Sequence, residues 1–261
     1  MAAPMPVRTG LPARRHRRLA GVALALAGVV AALAGGQAAA APLGHRGSVV
    51  VSGEFDPHWS AVTITPALTR STGLGPNVNW MEPEDGARGS AHRQEIWSLL
   101  MVTQRLHRWN GDHHQANLWA GTGVGVLTVL PGNGGRTGHG VHHGHGAAAR
   151  DGSGQVDNRA AWSPWAQADW ETQRLYLAAS ARWFQAADVG RWMTAARAGV
   201  ALTPAHYDRW QPWLMLEART MEDLQPGVEV TPMLRLLHRR LFAEAGLSTR
   251  GSVRVNLSYT F

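Results

Sequence analysis

The final eleven residues, Gly251 to Phe261, constrain the fold of this chain more tightly than any other stretch. Val253, Val255, Leu257, Tyr259 and Phe261 are apolar, and Arg254, Asn256, Ser258 and Thr260 between them are polar. Successive Cβ atoms of an extended backbone point to opposite sides, so a period of two marks a strand with one apolar and one polar face. The segment is also about as long as a tilted strand needs to be to cross a bilayer, roughly 9–11 residues. Its apolar face can be covered either by hydrocarbon or by the second layer of a soluble sandwich.

The other end of the chain favours export. Arg14, Arg15, Arg17 and Arg18 precede an apolar run from Leu19 to Leu33, and Ala38-Ala39-Ala40 supplies an A-x-A cleavage pattern. This is the layout of a secretory signal peptide. Residues 1–40 are therefore expected to be removed, by ordinary export, since Arg14-Arg15 lacks the rest of a twin-arginine pattern. Beyond Ala41 no apolar run approaches the about 20 residues of a spanning helix, so a membrane location would have to be reached with strands. All 25 basic residues are arginine, and Arg8, Arg14, Arg15, Arg17 and Arg18 lie in the leader. Without those five, 20 arginines face 18 carboxylates, a net charge of +2. The basic balance thus gives no footprint for nucleic acid, which is not expected as a partner. The absence of cysteine excludes disulfides and thiolate metal sites.

Composition then separates the two covers. The chain has 12 Trp against 3 Tyr and 4 Phe, and only 16% charged residues. Tryptophan is favoured at membrane–water interfaces, where its amphipathic ring sits at headgroup level. With its alternation and terminal Phe261, the ending resembles the final strand of bacterial outer-membrane β-barrels. That resemblance implies an antiparallel transmembrane β-barrel in the outer membrane of a Gram-negative cell. It also implies contact with outer-membrane lipid and recognition of the strand ending in Phe261 by the barrel assembly machinery. A monomer is expected.

Strand patterns recur upstream. Val49, Val51, Gly53 and Phe55 alternate with Val50, Ser52 and Glu54, and Asp56-Pro57 marks a turn. Val62, Ile64, Pro66 and Leu68 oppose Ala61, Thr63, Thr65 and Ala67. Residues 71–90, rich in Gly, Pro, Asn and acidic side chains, read as an external loop. Residues 93–109 place Ile96, Ser98, Leu100 and Val102 opposite Glu95, Trp97 and Arg105, with a helix as the alternative. Asn110-Gly111-Asp112 signals a hairpin. In the next strand Gly121, Gly123 and Gly125 share the inward face, which would relieve crowding in a narrow lumen. Residues 131–160 are Gly- and His-rich without periodicity and read as a long surface loop.

From Trp165 the alternation resumes. Its parity inverts near Glu171 to Arg174 and again around His238 to Arg240, each marking a bulge or a turn. Together the segments predict residues 41–261 as one all-β barrel of about ten strands, with eight as the alternative, since single-chain bacterial barrels take even numbers. The inward faces carry Glu95, Arg105, Asp169, Glu171, Arg174, Arg182, Arg197, Glu217, Arg219, Arg235, Glu244 and Arg254. In so narrow a barrel, paired charges are expected to close the lumen as an ionic network; a narrow solute pathway is the second reading.

Candidate chemistry is local. His139, His142, His143 and His145 form a tract with the ligand type that suits copper or zinc, and His113 and His114 lie on a loop expected at the same barrel end. A lipid-modifying enzyme is the other class considered. Ser180, Ser248, Ser258, His206 and His238 are available to it, but no G-x-S-x-G motif is present. The strings at 105–121, 167–176 and 231–248 resemble segments of proteobacterial barrel proteins associated with heavy-metal or copper handling. That resemblance implies metal binding, transport or resistance and assigns no site residue. The expected function is therefore a non-enzymatic outer-membrane barrel with a metal-related role. The alternatives are a lipid-modifying enzyme, a narrow channel or a structural barrel. Calorimetric titration of the refolded barrel with Cu(II) or Zn(II) should show binding that disappears when His139, His142, His143 and His145 all become alanine. Unchanged affinity would remove the tract as the site.

Overall fold

A computed structural model describes residues 43–83, 94–130, 156–204 and 208–261. Twelve strands form a closed barrel: β1 (Val49–Phe55), β2 (Trp59–Pro66), β3 (Thr72–Met81), β4 (Gln94–Asn110), β5 (His114–Leu130), β6 (Asp157–Thr172), β7 (Leu175–Ala186), β8 (Val189–Ala201), β9 (Gln211–Met221), β10 (Glu229–His238), β11 (Leu241–Leu247) and β12 (Val253–Thr260). Each strand pairs antiparallel with its sequence neighbours, and β12 closes on β1 from Val50↔Thr260 to Phe55↔Val255. Phe261 extends the seam: its N–H donates to Val49 O at 2.8 Å.

The expectation of about ten strands, or eight, is corrected to twelve. The strand overlooked is β3, in a stretch read as loop from its Gly, Pro and Asn content. Those residues alternate: Gly73, Gly75, Asn77, Asn79 and Met81 are buried inward, while Leu74, Pro76, Val78 and Trp80 lie on the other face. Turn-forming residue types here serve a polar lumen. The two parity inversions are turns rather than bulges, at Gln173-Arg174 and at Arg239-Arg240, where Arg239 takes a positive φ of 53°. Arg174, expected on an inward face, therefore belongs to a turn. Segment 94–110 is strand throughout, not helix, with a register shift between Arg105 and His107. The first residues of β6, Asp157 to Ala160, were assigned by sequence to the preceding loop.

Connections alternate between the barrel ends. His113 and His114 sit where β5 begins, whereas the segment after Leu130 leaves from its other end. His139 to His145, expected at the same end as His113 and His114, lie outside the described residues. The end where β1 starts and β12 finishes is the seam end; the other, carrying the two longest connections, is the loop end.

The outer face explains what covers the strands. Ile64, Leu100, Val102, Val124, Val126, Leu177, Val200, Leu214, Leu216 and Leu234 point outward and are exposed. Trp80, Trp162, Trp183 and Trp192 lie outward near the loop end, the last two paired across strands with rings 4.9 Å apart. Trp109, Trp170, Trp210 and Tyr259 lie near the seam end. An apolar belt between two aromatic girdles is the surface of a barrel embedded in a bilayer. The remaining five tryptophans, Trp59, Trp97, Trp119, Trp165 and Trp213, face the lumen. Leu216 is at the middle of β9 on the lipid face. Leu216→Arg should cost about 2–4 kcal/mol of stability, read as a shift in reversible urea unfolding in liposomes; a near-zero shift would deny that this face meets hydrocarbon.

Candidate functional site in the barrel lumen

Strand alternation delivers one wall of charge to the interior. Arg197 (β8), Glu217 and Arg219 (β9), Glu229 and Arg235 (β10), Glu244 (β11), Arg254 (β12) and Glu54 (β1) all fall on inward positions, with Asp56 just beyond β1. Glu217 accepts from Arg197 and Arg254. Asp56 Oδ2 accepts from Arg219 Nη2 at 2.8 Å and from Arg254 Nη2 at 3.2 Å. Arg254 Nη2 also lies 3.2 Å from Glu229 Oε2. Arg235 Nε donates to Glu244 Oε1 at 2.7 Å, and Asn256 Nδ2 donates to its Oε2 at 2.8 Å. Arg197 crosses the lumen to Glu54 Oε1 at 3.2 Å. Aromatic faces complete the guanidinium environment: Arg219 lies over Trp59 and Arg235 over Tyr176. The expected closed ionic network is therefore present on this wall. Its sequence-based membership lacked Glu54, Asp56 and Glu229. Asp56 was hidden by the Asp-Pro turn signal, although the parity of β1 and β10 would have found the other two.

Nearer the loop end the lumen is apolar. Trp59, Met81, Trp97, Leu127, Phe184 and Met221 form one buried cluster, with Trp97 and Phe184 edge to face at 5.2 Å. These residues come from β2, β3, β4, β5, β7 and β9, so the cluster spans the barrel rather than coating one wall. Beside it Arg191 is paired with Glu95.

Below this layer lies a cavity of about 320 Å³. Charged side chains on its surface are Arg182, Arg197, Arg219, Arg235 and Glu54; Asp56, Glu217, Glu229 and Glu244 stand behind the guanidinium groups and do not line it. The cavity thus presents mainly cationic donors. Arg182 (β7) differs from the others. Its Nε donates to Ser163 Oγ at 2.8 Å and its Nη2 to Asn77 Oδ1 at 2.8 Å, and its guanidinium lies 4.3 Å from the Phe184 ring centroid. Among the described residues no carboxylate pairs with it. The glycines expected to relieve crowding do so: a Cβ on Gly121 would collide with Trp165 Nε1 and Val102 O.

The remaining sequence candidates fare differently. His139, His142, His143 and His145 lie outside the described residues, as does His206. Among the described residues no group of three or more His, Asp and Glu side chains is arranged to hold a metal ion. Ser180 and Ser258 line the cavity, while His238 is on the outer face, stacked on Trp210 at 4.6 Å. Ser248 Oγ accepts from the Arg250 and Ser252 amides in the β11–β12 turn. The barrel wall separates the two lumenal serines from His238, so these residues do not assemble a nucleophile–base pair.

A closed antiparallel barrel with an apolar belt, aromatic girdles and a charged interior is a transmembrane β-barrel, and the protein resides in the outer membrane of a Gram-negative bacterium. No family model and no curated protein matches the chain. The resemblance to copper-handling barrel proteins gains no support. Solved structures that it is similar to include the KdgM porin (10% identity, TM-score 0.41, covering 82% of this chain and 99% of that one). The same porin in complex with disordered oligogalacturonate gives 11% identity, TM-score 0.40 and coverage of 82% and 98%. A loop L8 deletion mutant of OmpT, an outer membrane protein of Vibrio cholerae, gives 8%, 0.28, and 82% and 97%. At these values the likeness assigns neither substrate nor activity.

Glu217 is completely buried against two arginines. Glu217→Ala should destabilise the barrel by about 3–5 kcal/mol, because it strips a carboxylate from buried guanidinium groups. Urea titration in liposomes measures this, and a loss below about 1 kcal/mol, the scale of an exposed pair, would show the network to be solvated.

Proposed function

We propose that the protein is a narrow, non-enzymatic outer-membrane channel with a preference for small anions, closed at rest by the apolar layer near its loop end. The observation that carries this reading is the cavity itself: a space of about 320 Å³ inside the barrel whose surface offers four guanidinium groups and one carboxylate. Arg197, Arg219 and Arg235 are paired with Glu217, Asp56 and Glu244, carboxylates that do not themselves line the space. Here the carboxylates are withdrawn to the wall, and donors face the space. A low-dielectric channel lined by one sign of charge concentrates the opposite ion. The layer around Trp97 and Phe184 is the barrier, since apolar constrictions block ions by excluding water.

Planar bilayers containing the refolded barrel under a potassium chloride gradient test this reading. Small current steps with a reversal potential favouring chloride are expected. Replacing Trp97 and Phe184 together by alanine should raise conductance severalfold. Cation preference, or silence in both proteins, would overturn it.

A further inference from the structure

Arg182 sits in a small patch that the channel reading alone does not require. Antiparallel pairing sets Trp165 directly beside Arg182, and Gln167 directly beside Ser180, on adjacent β6 and β7. All four side chains line the cavity. Arg182 is held on one side by Ser163, on another by Asn77, itself fixed by Asn79 Nδ2 at 2.7 Å. Three neutral groups, Ser163 Oγ, Asn77 Oδ1 and the Met101 sulfur 3.7 Å from Nη2, therefore position a guanidinium with no paired carboxylate, while Nη1 has no bonding partner among the described residues. Elsewhere in this lumen each cavity-lining arginine is neutralised by carboxylate. A cation with a fixed orientation, a planar donor fork and no resident anion is a receptor for an external one.

The neighbouring groups narrow its chemistry. A single unmatched charge suits a monoanion. A hydroxyl at Ser180 and an amide at Gln167, one residue pair towards the seam end, suit a second polar group a few ångströms from the anionic one. The Trp165 indole offers a flat apolar side. We infer that the patch of Arg182, Ser180, Trp165 and Gln167 is a binding site for a small hydroxylated monocarboxylate, with Arg182 taking the carboxylate. The inference rests on the channel reading for the route by which such a ligand arrives, but the site can be tested without conduction.

The full barrel is refolded in detergent, its fold verified by heat-modifiable electrophoretic mobility, and titrated with sodium lactate by calorimetry and tryptophan fluorescence. Saturable binding is expected. Arg182→Gln should weaken it about tenfold or more, the scale of one charge-assisted contact. Trp165→Phe should diminish the fluorescence change while calorimetric binding persists. Lactamide, uncharged and of similar size, should not bind the wild-type barrel, and this comparison needs no variant to fold. Equal binding of lactamide and lactate, wild-type affinity in folded Arg182→Gln, or an undiminished fluorescence change in Trp165→Phe would overturn the site. A barrel that binds lactate but carries no current would sink the channel and leave the site standing. One that conducts anions and ignores lactate would do the reverse.

Discussion

Within hydrocarbon every backbone N–H and C=O must find its partner in the protein, and the seam between β1 and β12 is where this barrel meets that requirement. An open twelve-strand sheet would leave two edges of unpaired groups in lipid, each costing several kcal/mol. Closure removes both edges. It also sets the inside-outside rule that the rest of the molecule obeys. Once Val50 pairs with Thr260 and Glu54 with Asn256, parity decides which residues of β1 and β12 face lipid and which face the lumen. A slip of β12 by one residue at the seam would turn Arg254 into the bilayer and Leu257 into the interior.

The interior solves a different problem. Eight strands enclose a space just wide enough for side chains to fill, and twelve enclose more. The chain fills the excess in two ways. Near the loop end, tryptophans, phenylalanine and methionines from six strands meet across the axis. Farther in, long guanidinium side chains reach between walls: Arg197 on β8 to Glu54 on β1, and Arg182 on β7 to Asn77 on β3. The five lumenal tryptophans show that the Trp-rich composition serves packing as well as the membrane interface.

Much of this was legible in the sequence because a two-residue period is a local signal. Outward sets such as Leu118, Ala120, Thr122, Val124 and Val126, or Leu214, Leu216 and Ala218, could be assigned from spacing alone. The strand count was not legible, because β3 writes its inward face in Gly and Asn, the same residues that build turns. The ionic network was half legible. Parity named Arg197, Glu217, Arg219, Arg235, Glu244 and Arg254 as inward, but which guanidinium meets which carboxylate depends on the register of strands far apart in the chain. Arg182 shows the limit most clearly. In sequence it is one arginine among many; only the fold reveals that its partners are Ser163 and Asn77, neither of them charged.

The exclusive use of arginine follows from these crossings. A lysine ammonium is a compact, strongly hydrated point charge on a flexible stem, whereas guanidinium is planar, more weakly hydrated and offers five donors in a fixed fork. Arg254 uses that fork to meet Asp56, Glu217 and Glu229 at once, and Arg197 to meet Glu54, Glu217 and Glu244. Each such residue ties three strands or strand ends through one side chain. A lysine in its place would satisfy fewer carboxylates and leave the others buried without a donor, at a cost of about 1–3 kcal/mol or more each. The same fork lets Arg182 hold its place with Nε and Nη2 while Nη1 keeps no bonding partner among the described residues. One residue type thus braces the barrel where carboxylates surround it and leaves a donor on offer where they do not.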